Sequence, residues 1–224
     1  MRKRLLIVGL LVVLGGLVGL AVGLLVLYRA SQHVPQFYQE ALQTDPAAAE
    51  EASDEMLQQA AALTGDVEKE GPWEAVFTAE QINGWLAVDM ARNHPGLLPS
   101  SVKEPRVAVE PEQIWIACRL DEGGWSSVVS LVVDAYLAEP NVIALRIRKA
   151  RVGMLPLPLE GILDAISQEA GQMDLDIRWR QAEGDPVVEV SIPPPRDADD
   201  KTIRIESLQL GEGKIYLSGS TERP

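Results

Sequence analysis

The 224-residue chain contains one cysteine, Cys118, and two histidines, His33 and His94. A single cysteine excludes an intramolecular disulfide, so the stability of the fold must come from packing. Cys118 has the same strand parity as Ile114 and Ile116, which predicts a buried thiol rather than a reactive one. Neither histidine has neighbours at a metal-ligand spacing, so we expect no metal and no cofactor.

Positive charge is also scarce, since 20 Lys and Arg residues stand against 33 Asp and Glu residues, for a net charge of −13. A field of that sign repels phosphates, and we expect no nucleic-acid partner. Nucleotide-binding glycine motifs are missing, and Gly124-Trp125-Ser126-Ser127-Val128 lacks the last glycine of a nucleophile elbow. We therefore expect a protein that is not an enzyme. A glycosidase pair of carboxylates far apart in the chain remains an open alternative.

One long uncharged run, Leu5 to Tyr28, is present. As a helix it would extend about 36 Å, more than the roughly 30 Å hydrocarbon core of a bilayer. The basic residues 2–4 precede it, which by the positive-inside rule places residues 1–4 in the cytoplasm and residues 29–224 outside. We predict a single-pass protein of the cytoplasmic membrane. The alternative, a cleaved signal peptide, has a shorter apolar region of about 7–15 residues.

Three glycines in this run, Gly15, Gly19 and Gly23, are spaced four apart on one helix face. This spacing allows two membrane helices to approach closely, so a weak homodimer through this helix is one hypothesis. The pattern favours the simpler interpretation that glycine is common in membrane helices.

Residues 29–72 are predicted to form a juxtamembrane stalk. Pro35 interrupts the first helix, and residues 36–43 suit a short second one. Asp45 is a natural N-cap with Pro46 at the first helical position. A stripe of small and apolar residues then predicts an amphipathic helix that ends at Thr64-Gly65: Ala49, Ala52, Met56, Ala60 and Leu63. We expect it to pack closely on the domain or on a second copy, with a solvated spacer helix as the alternative.

Residues 73–224 are predicted to form one extracytoplasmic domain. Thr78 and Gln81 suit a capping box, so a helix should begin there and end at Asn93-His94-Pro95-Gly96. Asn83 lies beside its apolar face and could be a binding group, but we expect its amide to hydrogen-bond neighbouring backbone. From Pro105 the apolar period changes to two, which predicts strands at 106–110, 113–120, 125–137, 142–152, 176–181, 187–192, 202–210 and 214–218.

The short connections between the first four strands predict an antiparallel meander. A helix at 159–173 has a continuous apolar stripe, formed by Leu159, Ile162, Leu163, Ile166, Ala170 and Met173. The predicted fold class is therefore α+β, with a single curved antiparallel sheet packed on this amphipathic helix.

The strand at 125–137 is apolar on both faces. Its second face carries Val128, Val132 and Tyr136, and a curved sheet could fold these residues into an apolar groove for a ligand. The alternative is that the helices at 78–92 and 159–173 cover this face. A second feature is the basic cluster of Arg146, Arg148, Lys149 and Arg151, which could hold an anion, although pairing with the surplus carboxylates is simpler. By strand alternation, Lys149 and Arg151 should share the face of Ile147.

The layout resembles the YpmS-type family of membrane-anchored bacterial envelope proteins. The resemblance rests on the anchor, the β meander and two short motifs, and it covers most of residues 73–217. The first motif is Thr78, Gln81, Ile82, Asn83, Trp85 and Leu86. The second is Gly153-x-Leu155-Pro156-Leu157-Pro158, leading into Ile162-Leu163. The resemblance implies a single-pass envelope protein of uncharacterised role with no catalytic residues.

From these features we predict a membrane-anchored extracytoplasmic module that binds a lipid or another apolar ligand in the cell envelope. The alternative is a structural scaffold that contacts other envelope proteins.

Overall fold

The computed structural model describes residues 23–159, 163–164, 167–168, 171, 176–192 and 201–222. Its helices are α1 (23–31), α2 (Gln36–Leu42), α3 (Pro46–Val67), α4 (Ala79–Ala87) and α5 (Asp89–Asn93). The first five strands are β1 (Gly71–Thr78), β2 (Val102–Glu110), β3 (Gln113–Glu122), β4 (Trp125–Glu139) and β5 (Val142–Val152). The others are β6 (Leu155–Pro156), β7 (Asp176–Ala182), β8 (Asp185–Ser191), β9 (Thr202–Gly211) and β10 (Lys214–Glu222).

The predicted membrane helix lies mostly outside the described residues. Gly15 and Gly19 are among those left out, whereas Gly23 is the first described residue of α1. Apart from its chain neighbours and its own helix backbone, no described atom lies within 4 Å of the position that its Cβ would take. Within the described ranges, no helix is both long enough and apolar enough to cross a bilayer.

The strands form two antiparallel sheets, which makes the protein an α+β structure. The larger sheet has the order β2-β3-β4-β5-β8-β7, with β6 paired to β5, and the smaller has the order β1-β10-β9. The predicted meander of β2 to β5 is confirmed, because the two-residue turns between these strands leave no room for a crossover. The prediction of one sheet was wrong, since β9 and β10 pair with β1 instead of extending the meander.

Strand β1 was not predicted, and its first two residues, Gly71-Pro72, were assigned to the end of the stalk. Pro72 faces Ser220 on β10, and β1 is an edge strand, where the missing N–H of a proline can point away from the ladder. Two side chains of β1, those of Trp73 and Ala75, are buried. The segment that joins α3 to α4 is therefore part of the second sheet.

Helical residues are described at 163–164, 167–168 and 171, within the predicted helix at 159–173. Leu163 is partly buried, and the Trp179 indole Nε1 of β7 donates to Ser167 Oγ over 2.8 Å. Ile162, Ile166, Ala170 and Met173 fall outside the described residues.

Helices α2 and α3 do not form an isolated stalk. Tyr38 of α2 is 1% exposed and packs against Ala117 and Val128 of the larger sheet. Asp45 accepts a hydrogen bond from the Ala47 N–H, as predicted for the N-cap of α3. Helix α3 then lies against α4, and the segment that was predicted to be a stalk is part of the domain.

Candidate functional site

The predicted groove residues lie in different environments. Val128 and Val132 are 7% and 5% exposed, on the face of the larger sheet that α2 covers, whereas Tyr136 further along β4 is 41% exposed. Tyr136 borders a separate surface depression with Arg148 and Leu210. The structure thus covers Val128 with α2, a helix that was assigned to the stalk, and places Val132 in the lining of a cavity with Trp115 and Lys149. Tyr136 stays at the surface.

A larger opening lies between α2, α3 and α4. This helical cleft has a volume of about 700 Å³, within the range of ligand pockets. Its apolar lining consists of small side chains, namely Ala41, Leu42, Pro46, Ala48, Ala49, Ala52, Ala87 and Val88. Three exposed carboxylates border it as well: Glu40, Glu50 and Glu80.

Close contact between α3 and α4 forms one wall of the helical cleft. Gly84 of α4 is buried so tightly that an added Cβ would lie 2.7 Å from Ala52 Cβ and 2.7 Å from the Ser53 backbone nitrogen. Only glycine fits this position, because the opposing atoms include backbone that cannot rotate away. The predicted alanine-rich packing surface of α3 therefore meets the domain itself.

The capping box fixes where α4 begins. Thr78 Oγ1 accepts from Gln81 N–H and Gln81 Oε1 accepts from Thr78 N–H, as predicted. One turn later, the Asn83 amide donates to Val107 O and accepts from Val107 N–H, both over 2.8 Å. Asn83 thus has the structural role that was expected, but its backbone partner is 24 residues away and not in the neighbouring chain, so the side chain attaches α4 to β2.

Arg106 of β2 is the only cationic side chain among the described residues that line the helical cleft. Its Nη1 donates to Pro105 O over 2.7 Å and its Nε to Ala41 O over 3.4 Å. Among the described residues, no carboxylate lies within 4.0 Å of the guanidinium as an ion-pair partner. Burial lowers the pKa of Arg106, which reflects the cost of removing its charge from water.

The basic cluster on β5 divides into two pairs. Arg146 contacts Asp185 at 2.7 Å and Glu183 at 2.9 Å, and Arg148 contacts Asp134 and Asp185 at 2.9 Å. Hydrogen bonds from Arg148 and Arg146 lower the pKa of Asp185. These two arginines therefore pair with carboxylates, as the simpler interpretation expected.

Lys149 and Arg151 lie elsewhere because β5 contains a β-bulge. Lys149 pairs with Val132, whereas Ile147 pairs with the next residue, Val133. The predicted shared face of Lys149 and Ile147 was therefore wrong, since the bulge shifts the alternation by one residue. Lys149 and Arg151 instead lie on the face that α2 covers.

These two cations line a second cavity, the basic pocket, of about 290 Å³. The other residues that line it and bear on its chemistry are His33, Trp115, Ser130 and Met154. None of its described lining residues is acidic. Trp115 Nε1 is buried without a hydrogen-bond acceptor within the described part of the chain. The pocket thus has surplus positive charge, and one of the residues that line it has a buried donor without an acceptor.

The end of α1 is attached beside the basic pocket. Met154 N–H donates to Ala30 O over 2.9 Å, Gln32 Nε2 donates to Ser126 O over 3.2 Å, and the Ser127 hydroxyl donates to Ser31 O. Gly153 has a φ of +57° and no space for a side chain against the backbone of Ser31. This glycine of the Gly153–Pro158 motif therefore serves a close contact between backbones.

Cys118 is partly buried on β3 and is a free thiol. Burial raises its pKa to about 11, so the thiol is protonated at neutral pH.

None of the protein-family models, curated proteins or solved structures compared with this chain matches it. Sequence reasoning missed the helical cleft, and it named Lys149 and Arg151 only as part of one possible anion-binding cluster with Arg146 and Arg148. The helical cleft and the basic pocket each form where segments distant in sequence meet, and the alternating pattern around Arg106 gave no sign that α2 would lie above it.

Proposed function

We propose that this protein is a single-pass membrane protein whose extracytoplasmic domain binds a lipid or another apolar ligand and performs no catalysis. The resemblance to YpmS-type envelope proteins and the apolar run at residues 5–28 support the anchor. The helical cleft is the observation that supports ligand binding, because it is large and its walls are mostly apolar.

The shape of the helical cleft suits an acyl chain. Alanine side chains on α2, α3 and α4 leave room between helices that larger residues would fill, and its volume of about 700 Å³ is that of a sizeable ligand. Apolar atoms gain roughly 25 cal/mol per Å² when they leave water for such a lining. The ligand therefore binds through burial of its hydrocarbon part.

Arg106 gives the helical cleft a polar contact. A partly buried cation without a carboxylate partner is costly, and an acidic group on a ligand would offset that cost. The carboxylates Glu40, Glu50 and Glu80 stay exposed in water at the border. A lipid with its acidic group at Arg106 and its chain along the alanines satisfies both features.

Photo-crosslinking in intact cells tests the proposed cleft. Cells that express the full chain are fed a fatty acid carrying a diazirine, and crosslinked peptides are mapped after irradiation. We expect crosslinks in the peptides that contain Ala48 to Ala52 and Ala87 to Val88. Ala48→Trp should reduce them severalfold, because the indole would occupy the opening while its exposed position spares the fold.

Ala62→Trp is the matched control, since Ala62 is exposed on the same helix and does not line the cleft. Equal crosslinking of the two tryptophan variants, or crosslinks confined to residues 5–28, would contradict a ligand in the cleft. Alkaline phosphatase fused after Pro224 tests the anchor separately, and an inactive fusion would place the domain in the cytoplasm.

The scaffold alternative rests on a different surface. Val76 of β1 and Tyr216 of β10 are directly paired and are 36% and 42% exposed. Exposed aromatic and aliphatic side chains in contact are typical of protein interfaces. If Tyr216→Ser abolishes crosslinking to other envelope proteins and lipid crosslinking is absent, the scaffold is the better description.

A further inference from the structure

We propose that the basic pocket binds the phosphate group of an anionic phospholipid in the extracytoplasmic leaflet of the membrane that holds the anchor. The inference rests on the proposed membrane anchor, but not on a ligand in the helical cleft. It gives the domain a second contact with lipid, at the headgroup rather than the acyl chain.

The charge of the pocket is the first argument. In a chain with a net charge of −13, the pocket contains Lys149 and Arg151 and no acidic residue among those described. Both side chains are exposed, and neither has an ion-pair partner among the described residues, in contrast to Arg146 and Arg148 on the same strand. The planar guanidinium of an arginine and the compact ammonium of a lysine both donate hydrogen bonds that phosphate oxygens accept.

The neutral donors are the second argument. The indole N–H of Trp115 is buried without an acceptor, although buried polar groups almost always have one. Ser130, which is 7% exposed, contributes a hydroxyl to the same lining. A cavity of about 290 Å³ is small for a lipid chain and suits a headgroup phosphate.

Position relative to the anchor is the third argument. The pocket includes Gly153 and Met154, and Met154 N–H is hydrogen-bonded to Ala30 O at the end of α1. Tyr28, the last residue of the apolar run, is only two residues earlier, so the pocket lies at the level of the headgroups. Met154 is 61% exposed beside it and can enter the apolar boundary. The attachment of α1 fixes this arrangement.

Native mass spectrometry of the full chain, released from detergent micelles, tests the proposal. Phosphatidylglycerol, phosphatidylcholine and soluble glycerol phosphate are added separately to the wild type, to Lys149→Gln/Arg151→Gln and to Arg204→Gln/Lys214→Gln. The last pair removes the same charge from exposed sites outside the pocket. We expect the first double variant to lose roughly tenfold in phosphatidylglycerol binding, and the control pair to change little. Circular dichroism verifies that both variants fold.

Trp115→Phe should weaken phosphatidylglycerol binding by a smaller factor, because it removes only the indole donor. Equal losses in the two double variants would indicate nonspecific attraction and would overturn the proposal. Equal binding of phosphatidylglycerol and phosphatidylcholine would do the same. If glycerol phosphate binds as tightly as phosphatidylglycerol, the site takes soluble phosphates and the lipid assignment is wrong. These outcomes are separate from the diazirine result, which concerns the helical cleft, and from the phosphatase fusion, which concerns the anchor.

Discussion

Two helix interfaces border the helical cleft, and they are built in opposite ways. Helix α2 packs on the larger sheet through a large side chain, Tyr38, inserted above the small Ala117 and Val128. Helix α3 packs on α4 through the absence of a side chain at Gly84, which brings the two backbones together. The first interface depends on filled volume, and the second depends on missing volume.

This difference determines which substitutions each interface tolerates. Removing atoms from the α2 interface leaves a cavity, whereas adding atoms to the α3–α4 interface causes overlap. Four alanines of α2 and α3 line the cleft between them, and their small side chains fill little of its space.

The largest effect is expected at Tyr38. Tyr38→Ala should lower the free energy of unfolding by about 3–5 kcal/mol, because an aromatic ring that is 1% exposed leaves a cavity. Guanidinium denaturation of the full chain in mild detergent measures this change. The same variant should loosen α2 and with it one wall of the helical cleft.

Tyr38→Phe is the matched control for this prediction. The Tyr38 hydroxyl is buried without a hydrogen-bond partner among the described residues, so removing it leaves no other described polar group without a partner. We expect a change within about 1 kcal/mol. If Tyr38→Ala were as mild as Tyr38→Phe, α2 would not be held by this side chain.

A smaller effect, of about 1–3 kcal/mol, is expected from Gly84→Ala. Its new methyl group would meet Ala52 Cβ and the backbone of Ser53 at 2.7 Å, and α3 would have to move away from α4. Thermal or guanidinium unfolding of the full chain measures the loss.

Gly65→Ala provides the opposite case on α3. Nothing lies within 4 Å of the Cβ that it would add, so the better helix propensity of alanine should stabilise the chain by about 0.5–1 kcal/mol. If Gly84→Ala and Gly65→Ala shift the free energy of unfolding in the same direction, the close α3–α4 contact at Gly84 is not what requires a glycine there.

The last prediction concerns the side of β3 that α2 does not cover. Burial raises the pKa of Cys118 from 9.0 to about 11, so the unfolded chain loses this proton at lower pH than the folded chain. The contribution of the protonated Cys118 thiol to the free energy of unfolding is fully present below about pH 9. It is lost as the pH rises from 9 to 11, by up to about 1.4 kcal/mol per pH unit.

The unfolding free energy of the wild type and of Cys118→Ala, measured between pH 9 and 10, tests this pH dependence. We expect a steeper decline in the wild type. The range stops at pH 10 because burial also raises the pKa of Tyr38 from 10.0 to about 12, which adds a similar decline at higher pH. Equal slopes in the two proteins would mean that Cys118 is not shielded from water.

Much of the local structure could be predicted because its signals are local. Asp45 and Thr78 cap the helices that they were expected to cap, since a capping side chain needs only the backbone two or three residues away. The strands of the meander follow from the period of two and from turns such as Glu122-Gly123-Gly124. The candidate site was less accessible, because Arg106 and Lys149 became part of cavities only through distant segments.

The sequence by itself determined where α2, α3 and α4 begin and where the strands of the meander reverse, because capping, periodicity and turn chemistry act over a few residues. Only the tertiary structure decided that β1 joins β10, that a bulge moves Lys149 to the face under α2, and that α2 lies on the sheet. These outcomes depend on whether surfaces far apart in the chain fit one another. That fit is a property of packed volumes, which no local pattern of residues contains.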